Sequence, residues 1–271
     1  MAIPFNKRLK EAIGRAAGAT GLYARDFRSK MIIVAFHRVN DESPEDGLTC
    51  RSAKFQEFCA FFRKHFEVTS LSEQIDGCQS GKDMGGTLSI TFDDGYLDNF
   101  EVAAPILRKF GMPATFFVTS GFVGSQTVAP WDQGLKAPPG WMTWDQLRSL
   151  VSQGFEIGCH TDSHLDMGTA DARAVQADLA LSKYKLQREL LVPVRLFAYP
   201  FGGRAHISAR SRELVREAGF ACCVSCCGGT NTTQSDPFNL NRIAIAEWFA
   251  SANQFGYELL MGRLNNVPSV S

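Results

Sequence analysis

The sequence predicts an α/β fold: a distorted (β/α) barrel of about seven parallel strands. Short apolar or β-branched runs alternate about seven times with segments of helical periodicity, which is the pattern of a parallel sheet. Glycines end three of these helical segments just before the next run, as left-handed helix stops do. A length of 271 residues fits one α/β barrel, so a closed or nearly closed sheet is favoured over an open one.

The individual strands are predicted from runs rich in Val, Ile, Phe and Thr that end at Gly, Pro or polar residues. They lie at 31–36, 66–70, 87–92, 114–119, 155–159, 195–200, 220–225 and 242–246. Helices are predicted between them at 52–65, 98–110, 143–153, 171–191 and 208–218, with candidate N-caps at Ser52, Thr143 and Ser208. The stretch 124–142 is rich in Pro, Gly and Trp and is predicted to be a loop over one mouth of the barrel.

Two units are predicted along the chain: a basic N-terminal helical extension at 1–29 and the barrel domain at 30–271. The extension is expected to pack on the domain, with a weak contact to anionic lipid headgroups as the alternative. The chain carries 28 basic and 28 acidic residues, so its charge does not indicate a nucleic-acid partner.

The first thirty residues lack the continuous apolar stretch that export or membrane spanning requires. The eight cysteines are therefore expected to be reduced. A cytoplasmic location is predicted, with a peripheral position at the inner face of the membrane as the alternative.

Barrel enzymes carry catalytic side chains where their strands end, and several polar residues fall there. His37, the pair Asp93 and Asp94, and His160 each follow a predicted strand, and His164 comes four residues after His160. Two adjacent buried carboxylates repel each other, so a cation or a catalytic task must compensate. The two histidines and one carboxylate would form an open metal site, and the other carboxylate could take a proton from water. The structural alternative is a simple "DDG" turn.

Three short motifs resemble a known family. The stretches "TFDDG", "HTDSH" and "YPFGG" are similar to the first three motifs of the polysaccharide deacetylases, the NodB-homology group of carbohydrate esterase family four. They occur in the family's order, and the resemblance extends over about residues 30–250. It implies that Asp93 is the general base and that Asp94, His160 and His164 hold a divalent metal. The implied metal is usually Zn²⁺, with Co²⁺ or Ni²⁺ as alternatives.

The same resemblance implies an activity. Metal-activated water would hydrolyse an N-acetyl group on an amino sugar, in a polysaccharide, an oligosaccharide or a glycolipid- or nucleotide-linked precursor. The main-chain N–H that follows Pro200, which belongs to Phe201, would bind the oxyanion, and Tyr199 of the same motif is a candidate substrate contact. A histidine would protonate the departing amine.

The acid histidine departs from the family pattern. The family usually carries it in a late strand, yet residues 236–271 contain no histidine. The stretch "IIVAFHRV" resembles the strand-ending histidine of a circularly permuted subgroup, and this implies that His37 is the acid, rather than His65 or His206.

A second departure lies in the third motif, where Ala198 stands in place of the usual arginine. That arginine holds the base carboxylate in the family, so its absence leaves the orientation of Asp93 without a known support. Arg242 is the preferred substitute and Arg204 a poorer one.

Other features give weaker hypotheses. Trp131 and Trp141 lie in the predicted loop and are candidates for stacking on a sugar ring. The stretch "CCVSCC" could bind a soft metal, although a core strand is favoured. Two other functions stay open: a catalytically silent carbohydrate-binding module of the same fold, motivated by the missing arginine, and a deacylase of a small N-acyl compound.

Overall fold

The computed structural model describes residues 5–44 and 46–264. Its strands are β1 Ile32–Phe36, β2 Arg38–Val39, β3 Thr49–Cys50, β4 Glu67–Val68, β5 Thr87–Phe92, β6 Thr115–Val118, β7 Glu156–Cys159, β8 Leu196–Ala198, β9 Cys222–Val224 and β10 Ile243–Ala244. Its α-helices are α1 Phe5–Ala19, α2 Leu22–Asp26, α3 Ser52–His65, α4 Leu71–Gln79, α5 Ala104–Phe110, α6 Trp144–Ser152, α7 Ala172–Leu190, α8 Ala209–Glu217 and α9 Ala252–Leu260. Each strand and helix predicted from the sequence is present, with ends within two residues of those expected, apart from the helix at 98–110, whose α-helical part begins at Ala104.

The main sheet is parallel and curls into a half-barrel. Its order is β10-β1-β5-β6-β7-β8-β9, and β4 pairs with the beginning of β5. A parallel bridge between Val224 and Leu240 links β9 to the segment that leads into β10. The predicted barrel of about seven parallel strands is thereby confirmed, in a partly open form.

Local sequence explains most helix ends. Thr143 and Ser208 cap α6 and α8, each within a capping box. The prediction that Ser52 caps α3 is wrong: Ser52 is the first helical residue, and its N–H donates to a carboxylate oxygen of Asp41 at 3.0 Å. The predicted helix at 98–110 begins as a π-helix, Asn99–Ala103, before α5.

The core explains why the strands read as continuous apolar runs. Every residue of β1 and β5 is buried, because one face of the sheet meets helices and the other is enclosed by the curl of the half-barrel. On the helical side, the rings of Phe36, Phe55 and Phe92 pack within 5.0 to 5.7 Å of one another. Full burial of one such side chain contributes about 1.5 to 3 kcal/mol.

From Phe5 onward, the described N-terminal residues are largely helical. They form α1 and α2, and α1 packs along α9. The division into 1–29 and 30–271 stays a prediction, and its outer parts, 1–4 and 265–271, lie outside the described residues. Across the described residues, no helix is both long and apolar enough to cross a membrane.

Strand register brings distant residues to one level at the carboxyl ends of the strands, here called the rim. Phe36 pairs with Phe92, so His37 and Asp93 follow at the same height, and the Asp93 N–H donates to the Phe36 carbonyl at 3.0 Å. The His160 N–H likewise donates to the carbonyl of Val118, the last residue of β6, at 3.0 Å. The sheet therefore collects at one rim the polar residues that the sequence scatters.

Candidate active site

A small cavity opens at the rim. Its volume is about 50 Å³, and it is lined by His37, Leu48, Asp93, Asp94, Trp131, His160, His164, Phe201 and Cys226. The cavity therefore contains His37, Asp93, Asp94, His160 and His164, together with the predicted oxyanion residue Phe201 and the predicted sugar contact Trp131.

The backbone around this cavity is strained. The described residues include five non-glycine residues with positive φ, and four belong to the three motifs: Asp94 at 72°, Thr161 at 65°, His164 at 56° and Phe201 at 62°. A β-branched or bulky residue adopts this conformation at a cost, which the surrounding structure must offset. Such strain concentrates at functional sites, because the geometry it produces serves chemistry rather than stability.

Three potential metal ligands converge in the cavity. One oxygen or nitrogen atom from each of Asp94, His160 and His164 lies within 4.8 Å of the others. The Asp94 Oδ1 atom is 3.3 Å from His160 Nε2 and 3.4 Å from His164 Nε2, and it is buried with no hydrogen-bond partner among the described residues. A buried carboxylate oxygen without a donor is costly, and a cation would satisfy it. Two imidazoles and one carboxylate fit a catalytic divalent metal.

A backbone contact orients one of these ligands. His160 Nδ1 lies 2.9 Å from the carbonyl oxygen of Ala198. Because a carbonyl can only accept, Nδ1 donates to it, and this bond orients the ring so that Nε2 faces Asp94. Position 198 thus supports the site through its main chain, although it lacks the arginine side chain of the family motif.

Asp93 is held by Arg242. The Arg242 Nη1 and Nη2 atoms donate to Oδ1 and Oδ2 of Asp93, both at 2.6 Å, and neither residue is more than 2% exposed. The guanidinium also donates to Thr91 Oγ1 and to the Ser225 carbonyl, each at 3.0 Å. Burial opposes ionisation of Asp93, but the Arg242 charge lowers the pKa of this carboxyl, which stays a carboxylate.

The electrostatics of Asp94 follow the same logic. Burial disfavours its charge, but the neighbouring His160 and His164 hold the pKa of Asp94 well below its usual range.

His37 lies across the cavity, with Nε2 3.9 Å from Asp93 Oδ2. Burial lowers the pKa of His37 more than the two aspartates raise it, which favours the neutral imidazole.

One wall of the cavity is aromatic. The rings of Trp131 and Phe201 pack on His164, with centroids 4.4 and 4.7 Å away. Trp131 Nε1 donates to the Tyr96 hydroxyl at 2.7 Å, and this hydroxyl donates to Asp132 Oδ2 at 2.7 Å. Fully buried behind them is Arg38, which donates from Nη1 to Asp132 Oδ1 at 2.6 Å. This chain of contacts fixes the loop residue Trp131 over the metal ligands.

The third motif contributes through Phe201 rather than through its neighbours. Among the described residues, the Phe201 N–H donates to no protein acceptor, so it is free to bind a ligand oxygen. Pro200 is buried beneath it, and its carbonyl accepts from the Gly202 N–H at 2.7 Å. Tyr199 does not reach the cavity: it is 2% exposed, and its hydroxyl donates to Cys223 Sγ at 3.3 Å. The expected substrate contact by Tyr199 is therefore absent from this cavity.

Trp141 also lies outside the cavity. It is 6% exposed, stacks on Tyr96 with centroids 4.7 Å apart and packs on Phe122 at 4.6 Å. Its Nε1 donates to the Thr127 carbonyl at 2.6 Å. Both faces of its ring are covered, so Trp141 holds the loop together and offers no face to a sugar.

Several residues that line or support the cavity were not predicted from the sequence. Leu48 and Cys226 line the cavity, and Arg38, Tyr96 and Asp132 support Trp131. Arg38 and Tyr96 each lie within two residues of a predicted site residue, and Asp132 follows Trp131 directly, so adjacency was the available signal. In the part of the chain that the structure describes, the soft-metal alternative at "CCVSCC" finds no three-ligand cluster, and the cysteines there are free.

Comparison with known proteins adds a family match. The family model described as polysaccharide deacetylase matches residues 80–223, about half of the chain. The matched segment contains Asp93, Asp94, His160 and His164 and leaves out His37 and Arg242.

Curated relatives and solved structures agree with this match. The chain is 26% identical over 167 residues to YxkH of Bacillus subtilis (strain 168), whose name assigns it provisionally to the polysaccharide deacetylases, covering 62% of this chain and 54% of that protein. It is 27% identical over 144 residues to the poly-beta-1,6-N-acetyl-D-glucosamine N-deacetylase of Escherichia coli (strain K12), covering 49% and 21%. The chain thus spans about half or less of the length of these relatives.

Among solved structures, the Streptococcus pyogenes deacetylase PplD in complex with acetate superimposes with a TM-score of 0.70. The match is 22% identical and covers 83% of this chain and 96% of that one. At this identity, the likeness shows that the fold is shared.

Proposed function

Because the chain belongs to the polysaccharide deacetylase family, we propose that it is a metal-dependent hydrolase that removes an N-acetyl group from an amino sugar. In reaction terms it would act on a linear amide rather than a peptide bond. The observation that carries the proposal is the group of buried Asp93, Asp94 and His160 and partly buried His164 at one rim, with Asp93 held in two bonds by Arg242.

Each residue has a distinct part in this proposal. Asp94, His160 and His164 would hold a divalent cation, by preference Zn²⁺, with Co²⁺ or Ni²⁺ as alternatives. Such a cation would supply Lewis-acid chemistry toward the acetyl carbonyl and a water molecule. Asp93, fixed by Arg242, takes the proton of that water.

Two further residues of the cavity carry the remaining steps. The free N–H of Phe201 donates to the oxygen of the acetyl group as negative charge develops there. His37 protonates the amine nitrogen as the C–N bond breaks, and it lies close enough to Asp93 for a small movement to pass the proton on. Trp131 offers an aromatic face to the sugar ring. The circular permutation implied by the position of His37 stays a prediction.

The substrate is proposed by chemistry alone. The name of the Escherichia coli relative specifies a polymer of N-acetylglucosamine, which supports an acetylated amino sugar. A polymer, an oligosaccharide and a glycolipid- or nucleotide-linked precursor all present the same acetamido group. The silent-module alternative loses its motivation, because Arg242 occupies the role for which an arginine was missing.

The test is acetate release by the full chain from N-acetylglucosamine oligomers, a lipid-linked N-acetylhexosamine, a nucleotide-linked N-acetylhexosamine and a simple N-acyl amine. We expect release from at least one sugar, loss after treatment with a chelator and recovery on adding Zn²⁺, with Asp93→Asn as the inactive control. Undiminished release from the metal-free protein would overturn the metal-dependent mechanism. Release from the simple N-acyl amine alone would favour the small-molecule deacylase.

A further inference from the structure

Helix α1 rests on the domain through its smallest residues. Gly14 and Ala17 are its buried positions. A Cβ atom at Gly14 would lie 2.0 Å from the carbonyl oxygen of Asn253 in α9, so only glycine permits this approach. The helix is therefore docked by close backbone contact and not by its large apolar side chains.

Two lysines add polar contacts on the same side. Lys7 Nζ donates to the Trp248 carbonyl at 2.8 Å, and Lys10 Nζ forms an ion pair with Glu258 at 2.6 Å. These contacts fix the rotation of α1 about its axis and decide which face remains in solvent.

The face left in solvent is apolar. Phe5, Leu9 and Ile13 are 82%, 52% and 42% exposed. Their spacing of four residues places them in one row along the helix, and the exposed Ala12 and Ala16 fill the gaps between them. A helix on a globular domain normally turns such a row toward the core. A continuous exposed apolar row indicates a partner.

The charge around this row identifies the kind of partner. Residues 5–29 carry six basic and two acidic side chains, a net charge of +4, in a chain whose net charge is zero. At 100° per residue, Arg8 and Arg15 border the apolar row on one side, and Arg15 also pairs with Glu11 of the same helix at 3.2 Å. A second copy docked on this row by two-fold symmetry would bring two basic borders together, whereas an anionic lipid surface attracts them.

The position of α1 relates this face to the rim. Trp248 lies in the loop that follows β10, at the carboxyl ends of the strands, and Lys7 binds its carbonyl. The amino end of α1, with the most exposed side chain, Phe5, is therefore on the same side of the domain as the candidate active site.

We propose that α1 lies in the headgroup region of an anionic bilayer, with Phe5, Leu9 and Ile13 inserted among the acyl chains and with Arg8 and Arg15 on lipid phosphates. This arrangement places the end of α1 next to Trp248, and with it one edge of the active-site rim, at the bilayer surface.

The test is co-sedimentation of the full chain with vesicles of phosphatidylglycerol and phosphatidylcholine in equimolar amounts, and with vesicles of phosphatidylcholine alone. We expect binding to the anionic vesicles that weakens as salt is added. Leu9→Ser and Ile13→Ser should each reduce partitioning about tenfold, since each removes one inserted side chain. Arg8→Glu should reduce it at least about fivefold. Leu181→Ser, at a leucine 44% exposed on α7, is the matched control and should bind like the unaltered chain.

Three outcomes would overturn the proposal: equal binding to both vesicle types, unaltered binding by Leu9→Ser and Ile13→Ser, or no binding to the anionic vesicles. In the last case, a dimer in light scattering that these changes dissociate would identify a second copy as the partner. Acetate release from a water-soluble substrate is measured in parallel. It should persist in all variants, because none lies in the cavity. Vesicle binding without acetate release from any substrate would refute the deacetylase function and leave the lipid surface standing.

Discussion

Arg242 and Asp93 form a buried, two-bond salt bridge between residues that are 149 positions apart in the sequence. Four of the five guanidinium hydrogens meet an acceptor: two donate to Asp93, one to the Thr91 hydroxyl and one to the Ser225 carbonyl. Asp93 is thereby held as a carboxylate in one orientation. The arginine comes from the beginning of the last strand rather than from position 198.

Removing this arginine should cost both stability and activity. Arg242→Met leaves Asp93 buried and unpaired, so we expect a loss of about 3 to 5 kcal/mol in the free energy of unfolding. The pair variant Arg242→Met with Asp93→Asn should regain much of that loss, because no bare charge remains. Chemical denaturation of the four proteins measures this coupling. Additive effects of the two changes would contradict a direct salt bridge.

Substitutions in the site should fall into two groups: those that abolish both metal binding and turnover, and those that reduce turnover alone. His160→Ala and His164→Ala should lose both bound metal and acetate release. Asp93→Asn and His37→Ala should keep the metal and lose about 10²- to 10⁴-fold in turnover, the usual contribution of a general base or acid.

Metal content and acetate release of each purified protein are the measurements. His65→Ala, in α3 away from the cavity, is the matched histidine control and should keep both. The assignment of His37 as the acid is wrong if its alanine variant turns over normally.

Tyr96 should affect substrate binding through Trp131. Tyr96→Phe deletes the hydroxyl that joins the Trp131 indole to Asp132, while Arg38 still pairs with Asp132. Loss of this hydroxyl should destabilise the cavity-facing position of Trp131 by about 1 to 3 kcal/mol. We therefore expect KM to rise about tenfold, with unchanged metal content and a smaller effect on kcat.

Steady-state kinetics on one acetylated sugar test this effect. The control is Tyr184→Phe, at a tyrosine 60% exposed on α7. An equal fall in kcat and kcat/KM without a change in KM would mean that Tyr96 acts on the chemical step instead.

The buried Asp98 should make stability depend on pH. Burial raises the pKa of Asp98 to about 6, although Asn40 and Asn99 donate to its oxygens. The folded state therefore binds this proton more tightly than the unfolded state, whose aspartate pKa is about 4. Its stabilising contribution is present below pH ~4 and is lost as the pH rises through ~6, by about 3 kcal/mol.

Unfolding free energies of the unaltered chain and of Asp98→Asn, measured between these pH values, give the check. Asparagine does not titrate, so the stability of the variant relative to the unaltered chain should increase with pH by that amount. A constant difference would show that the pKa of Asp98 is the same in the folded and the unfolded state.

The sequence predicted the rim residues well because parallel strands end at one edge, whatever their separation along the chain. His37, Asp93, Asp94, His160 and His164 needed only the strand ends to be placed together. Side-chain direction beyond a strand end could not be predicted in this way. Tyr199 and Phe201 are two residues apart, yet Phe201 enters the cavity through a backbone with positive φ, and Tyr199 turns to Cys223.

Aromatic residues in the long loop were equally ambiguous. Trp131 and Trp141 lie in the same stretch of the sequence, rich in Pro, Gly and Trp. A hydrogen bond to Tyr96 places Trp131 at the cavity, whereas stacking on Tyr96 buries Trp141. Such choices depend on three-dimensional packing that no periodicity records.

Strand β1, which His37 follows, pairs with β10, which Arg242 precedes. Both residues lie outside the segment 80–223 that the family model matches. A transplant of that central segment into a related scaffold would carry over the metal ligands and the carboxylate of Asp93, but neither the arginine that fixes this carboxylate nor the histidine opposite it. Such a chimera should bind metal and remain inert. The three potential metal ligands thus lie in the central segment, whereas the residues proposed for turnover also come from both ends of the fold.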